Sequence, residues 1–209
     1  QGTQQTNGSA AQRSNISAAK AVAQAIRTTL GPLGMDKMLI DPAGNILITN
    51  DGVSILREIG IEHPAAKMVV EVAKTQEANC YDGTTSAVVL AGALLEQAER
   101  LLDKGIHPTT ICKGYRAARD VAVNVLETWG ANDDESPRQA AATSLTGKSA
   151  EGIKDHLVNI CVDAIKSVQS VDDINILSVS GKSEEDTCLV SGVVVEKGLG
   201  SPSMEREIE

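Results

Sequence analysis

The sequence predicts a mainly α-helical domain followed by a smaller, mixed α/β domain. Three observations carry this reading. Apolar residues recur at three- and four-residue steps through most of the first 130 or so residues. Strand-like runs are confined to one short hairpin pattern near residue 40 and to the last third of the chain. Of the 209 residues, 42% are apolar but only 1% aromatic, with no Phe, so the core is built from Ala, Val, Ile and Leu at close helix contacts.

Taken in order, residues 1–13 are polar and extended at their start, and Ser14 or Asn15 is placed to cap the first helix. Ile16, Ala19, Val22, Ala23, Ile26 and Leu30 then form one apolar stripe, which Gly31-Pro32 ends. "KMLID" and "NILITN" flank Pro42-Ala43-Gly44 and read as a hairpin. Asn50-Asp51-Gly52 closes its second strand and opens a short helix, "VSILREIG". Pro64 suits the first position of another helix, with Met68, Val69, Val72 and Ala73 inward. From Ala87 to Leu102 the chain is apolar almost all round, which predicts a central helix. Pro108 starts one more, with Ile111, Tyr115, Ala118, Val121, Val125 and Trp129 on one face.

"GANDDESPR" (130–138) shifts to acid, Gly and Pro and marks a domain boundary. "QAAATSLTGKSAE" reads as a turn between helices, and Ile153, Leu157, Ile160, Ala164 and Val168 mark a further amphipathic helix. "INILSVS" (174–180) and "CLVSGVVVEKG" (188–198) read as strands. His63 and His107 each precede a proline at a helix start and read as turn residues. His156 reads as solvated, and Glu184-Glu185-Asp186 as an exposed loop.

A formal net charge of −9 argues against nonspecific nucleic-acid binding. Cys80, Cys112, Cys161 and Cys188 form no C-x-x-C and have no His at finger spacing, so buried, reduced thiols are expected. The polar N-terminus lacks a signal-peptide core, and no apolar run reaches the length of about 18 residues that a membrane span needs. A soluble, cytoplasmic protein is expected.

Three loops share a chemical theme: Leu30-Gly31-Pro32-Leu33-Gly34 at a helix end, Asn50-Asp51-Gly52, and Asp82-Gly83-Thr84-Thr85-Ser86 at a helix start. Glycines let backbone approach a ligand, and a helix N-terminus offers free N–H groups and partial positive charge to phosphate. The hydroxyls of Thr84, Thr85 and Ser86 add donors. An Asp beside phosphate is repulsive unless a cation lies between, so Asp82 points to Mg²⁺. Asp51 is suited to orient a water against a terminal phosphate. Each loop alone has a plainer reading: Asp82 as a helix cap, Asp51-Gly52 as a turn, Gly31-Pro32 as a helix stop. No G-x-x-x-x-G-K-[ST] is present, so a P-loop enzyme is not supported.

Together the motifs match a family. "TTLGPLGMDKMLID", "ITNDGVSIL", "EHPAAKMVVEVAKTQ", "DGTTSAVVLAGALL", "GIHPTTICKGYRAA" and "TSLTGK" occur in order, and the chain closely resembles the N-terminal part of a group II chaperonin subunit. That family comprises the archaeal thermosome and the eukaryotic cytosolic chaperonin, and the archaeal branch is the nearer match. The resemblance implies a mainly α, ATP-binding equatorial domain over 1–135, the start of a smaller mixed α/β intermediate domain over 136–187, and the start of an apical domain over 188–209. Leu30, Gly31 and Pro32 would line the nucleotide. Asp82 would hold Mg²⁺, with Gly83, Thr84, Thr85 and Ser86 on the phosphates. Asp51 and Gly52 would lie near the terminal phosphate, Asp51 assisting hydrolysis. Lys148 resembles the lysine of a loop that senses that phosphate; a solvated surface lysine is the plainer reading.

The family usually has Gly where this chain has Tyr81, and often Lys where it has Leu33. If position 81 needs a positive φ, Tyr carries strain there; alternatively its ring covers the nucleotide face. The family's main hydrolytic aspartate belongs to a part of the subunit beyond these 209 residues, so an incomplete chaperonin fold is expected. The resemblance implies ATP-dependent folding of non-native proteins in a double ring, with other chaperonin subunits as partners. The alternative is a truncated or split segment that binds neighbours and nucleotide without turnover of its own. A small-molecule phosphotransferase is a weaker third reading, because nothing resembles a second-substrate site.

Overall fold

The computed structural model describes residues 5–41, 43–129, 136–147, 149–181 and 183–194. Among them are seven α-helices and a two-stranded sheet: α1 (Gly8–Arg27), β1 (Lys37–Ile40), β2 (Ile46–Thr49), α2 (Gly52–Glu58), α3 (Pro64–Cys80), α4 (Thr84–Asp103), α5 (Pro108–Trp129), α6 (Ser136–Leu145) and α7 (Lys154–Ser167). Short 3-10 helices lie at Ser149–Ile153, Val171–Asp173 and Glu184–Asp186. The mainly helical first part agrees with the sequence reading.

The core forms where four helices turn their apolar stripes together. Ala19, Val22, Ala23 and Ile26 of α1 meet Val53, Ile55 and Leu56 of α2, Ala66, Val69, Val70 and Ala73 of α3, and Val88 of α4. Small residues let α1 and α4 approach closely: a Cβ on Gly92 would overlap the Ala23 methyl. Lys20 of α1 reaches Glu99 of α4 at 2.8 Å, with both side chains about three-quarters covered. The hairpin pairs antiparallel in the register Lys37↔Thr49 to Ile40↔Ile46. Its turn is closed by Asp41, which accepts from the Asn45 amide nitrogen and side chain at 2.8 and 2.7 Å. The Asn45 side chain holds the Asp41 carboxyl below its ordinary pKa.

Several expectations need correction. Helix α1 starts at Gly8, not after Ser14 or Asn15, and ends at Arg27, leaving Leu30 in the following loop. Its first turns face solvent, where amphipathic pattern carries no signal. On α3 the buried positions are Ala66, Val69, Val70 and Ala73, while Met68 and Val72 are exposed. Helix α5 buries only Ile111; Tyr115 bonds to the Leu94 carbonyl of α4 at 2.7 Å, and Val121, Val125 and Trp129 are open to solvent. Helix α4 does pack against α1, α2, α3 and α5, yet Leu90 and Leu94 remain exposed.

The stretch read as a turn at 139–145 is helix α6, which packs against α7. On α7 the buried residues are Val158, Val162 and Ala164; Ala164 lies on the expected stripe, whereas Leu157 and Ile160 are only half-buried. Residues 174–180 and 188–194 form no strand, and 195–198 lie outside the described residues. Extended backbone becomes a strand only beside a second backbone, and no ladder forms there among the described residues. The mixed α/β character of the second part is therefore not seen. All four cysteines are free and exposed, not buried. The boundary stretch falls largely on 130–135, outside the described residues. No described helix is long and apolar enough to cross a membrane.

Candidate functional site

The three glycine-bearing loops converge, and glycines make the convergence possible. Gly52, buried at the start of α2, sits where an added Cβ would lie 2.5 Å from Thr85 Oγ1 and 3.4 Å from Ile26 Cδ1. The second loop is thus pressed onto the first turn of α4 and the end of α1. Gly147, at φ +75°, would place a Cβ 2.7 Å from the Pro32 carbonyl oxygen. Asn50 Nδ2 approaches the Gly147 carbonyl at 3.5 Å. The Thr146-Gly147 loop after α6 therefore touches both the Leu30–Pro32 loop and the Asn50–Gly52 loop. Glu151 holds it there, accepting from the Gly147 N–H at 2.7 Å, and Lys154 donates to Thr146 Oγ1 at 2.6 Å.

Each loop has its own local cause. After α1, Thr29 Oγ1 donates to the Ile26 carbonyl at 2.8 Å and Met35 N–H to the Thr28 carbonyl at 2.9 Å, folding Leu30–Gly34 into a tight bend. Gly31 occupies φ +85° with nothing within 4 Å of its missing Cβ, so its backbone is an open ledge. Asp51 caps α2: its Oδ2 accepts from the Ser54 amide at 2.9 Å and the Ser54 hydroxyl at 2.7 Å. Asp51, whose plainer reading is a turn, is thus a helix cap, and this occupies one carboxylate oxygen.

Between α3 and α4 the backbone turns through two left-handed residues. Tyr81 has φ +56° and Gly83 φ +75°, and Tyr81 is the one non-glycine residue at positive φ among those described. The anticipated conflict is present: a tyrosine occupies the position that favours glycine. The residue is 67% exposed. Gln76, one turn back in α3, donates from Nε2 to the Asp82 carbonyl at 2.9 Å. Gly83 is the N-cap of α4 and makes no side-chain cap bond, so Asp82 does not cap this helix. Thr84 is buried, Thr85 half-buried and Ser86 exposed.

These contacts gather the start of α4, the Asp51 cap and, through Gly147, the Leu30–Pro32 loop into one region. Two surface clefts, about 560 Å³ beside Glu151–His156 and about 250 Å³ between Arg13, Asp103 and His107, do not border it. Among the described residues no three His, Cys, Asp or Glu side chains cluster as a metal cage. A lone carboxylate at a helix N-terminus suits Mg²⁺ only if phosphate oxygens complete its shell, which is how that ion is usually held. The donor set therefore fits a Mg²⁺–phosphate ligand. Lys148 lies outside the described residues. Leu33 is fully open to solvent. Sequence reasoning missed Gln76, Ser54 and Glu151, whose roles come from contacts that no local motif announces. The histidines behave as expected: His63 and His107 accept from backbone N–H groups at the starts of α3 and α5, and His156 is exposed, bonding the Thr187 carbonyl at 2.7 Å.

Comparison with known proteins gives the family of this mainly helical chain. The model of the TCP-1/cpn60 chaperonin family matches residues 22–209, and the chain belongs to that family. It is 49% identical to thermosome subunit alpha of Archaeoglobus fulgidus and to the thermosome subunit of Methanopyrus kandleri, and 48% identical to thermosome subunit beta of Thermococcus kodakarensis. Each comparison covers all of this chain and 41% of the relative, so the chain spans about two-fifths of the length of these curated proteins.

Proposed function

We propose that this chain carries the Mg-ATP site of a group II chaperonin subunit that folds non-native proteins within a ring of like subunits. The observation that carries this reading is the junction of Gly52 with Thr85, which joins the Asp51 loop to the N-terminus of α4. Phosphate would rest on the α4 N–H groups and on Thr84, Thr85 and Ser86, with the Gly31 ledge beneath the rest of the nucleotide. Asp82 would hold Mg²⁺, which when bound screens the charge of the phosphate oxygens. Asp51, anchored through Oδ2, retains Oδ1 to orient a water near the terminal phosphate.

The fold also suggests how nucleotide state would be passed on. The loop carrying Gly147 touches the Leu30–Pro32 and Asn50–Gly52 loops, so a shift of Asp51 at the terminal phosphate would reach α6 through packed backbone. Lys148, next in sequence to Gly147, would sense that phosphate. Partners would be other chaperonin subunits and non-native polypeptides, with residues 1–135, 136–187 and 188–209 belonging to equatorial, intermediate and apical domains.

The test is calorimetric titration of the assembled protein with ADP, with and without Mg²⁺. Asp82→Asn should remove most of the Mg²⁺-dependent gain in affinity while leaving Mg²⁺-free binding nearly unchanged. Unchanged Mg-ADP affinity in Asp82→Asn would show the metal assignment to be wrong.

A further inference from the structure

The Mg²⁺-binding residue of the proposed site stands on an awkward turn. Tyr81 gains nothing visible from its left-handed backbone: the residue is mostly exposed, and its hydroxyl has no hydrogen-bond partner among the described residues. Its N–H closes the last turn of α3 on the Glu77 carbonyl at 2.9 Å. A tyrosine left to itself prefers the right-handed or extended regions. Any such change at residue 81 would redirect the chain immediately before Asp82. Something must hold the turn as observed, and the structure offers one tether. The Gln76 amide bonds the Asp82 carbonyl and sits 3.3 Å from where a Cβ on Gly83 would lie, spanning the turn from the α3 side. In the same last turn of α3, Glu77 pairs with Arg57 of α2 at 2.6 Å.

We infer that Gln76 and Tyr81 are opposed positioning residues for Asp82: the Gln76 amide holds the turn that mounts the carboxylate, and Tyr81 biases that turn to open. This rests on Asp82 being the Mg²⁺ ligand proposed above. The binding-competent turn is then only part of the population before ligand arrives, and apparent affinity falls by that fraction. A glycine at position 81 would remove the bias, whereas loss of the amide would strengthen its effect.

The experiment is Mg-ADP titration of the assembled protein carrying Gln76→Ala, Tyr81→Gly and both, with Asp82→Asn alongside. Gln76→Ala should weaken Mg-ADP binding about fivefold to tenfold and leave Mg²⁺-free ADP binding unchanged. Tyr81→Gly should tighten Mg-ADP binding about threefold to tenfold. The double variant should recover most of the affinity that Gln76→Ala loses. A general packing role for Gln76 would instead weaken both forms of binding, without rescue by Tyr81→Gly, and would overturn the inference. So would unchanged affinity in Gln76→Ala while Asp82→Asn loses the Mg²⁺-dependent gain. If Asp82→Asn has no effect, the metal assignment fails and the inference with it.

Discussion

Gly31 and Gly147 both sit at positive φ, but their surroundings differ, and the difference separates two uses of glycine. Gly31 faces open space, so a methyl there adds only the left-handed penalty, about 1–2 kcal/mol. Gly147 has the Pro32 backbone 2.7 Å from the place a Cβ would take. Alanine there should cost about 1–3 kcal/mol more than at Gly31, because backbone cannot give way as a flexible side chain can. Chemical denaturation of the two variants checks this; equal losses would mean that the Pro32–Gly147 contact is not tight. Individual residues were unevenly legible. The conflict at Tyr81 was readable only through the family resemblance, which usually has Gly at that position. The tether from Gln76 was not, because a glutamine inside a polar helical run carries no local signal. Asp51 was readable as a turn residue ahead of a short helix, but its capping of Ser54 emerged only from the contact.

Secondary elements were legible where a core faced them or where turn and proline chemistry marked their ends. The stripe of α1, the short α2, the proline-led starts of α3 and α5 and the hairpin all follow from periodicity and turn chemistry. The errors share a cause. The exposed first turns of α1 and the Ala-rich α6 have good helix formers but little apolar pattern, so propensity rather than burial defines them. Residues 174–180 alternate like a strand, but alternation states a preference and pairing needs a partner. Between elements, the closest test of packing is the crossing of α1 and α4. Gly92→Ala should destabilise the fold by about 1–3 kcal/mol, since its methyl would collide with Ala23 in a buried contact. Combined with Ala23→Gly, the loss should be smaller than the sum of the single effects, because the two side chains compete for one space. Strictly additive urea-denaturation energies would contradict that crossing geometry.

Over the whole molecule, the helical core is positioned to do one thing: bring the ends of α1, β2 and α3 to the start of α4. Much apolar surface remains open, including Val121, Leu126 and Trp129 on α5 and Met38, Ile40, Ile46 and Ile48 on the hairpin. The net charge of −9 matters for the site as well. A negative field disfavours an anion, so a nucleotide would gain little from the protein at large and must depend on local donors and a divalent cation. The most direct test of the central claim is a structure of the assembled protein with Mg²⁺ and a non-hydrolysable ATP analogue. The account predicts the phosphates on the first turn of α4, the metal against Asp82 and the Gly31 ledge beneath the nucleotide. A fully bound analogue lying elsewhere, with the α4 N-terminus empty, would contradict it.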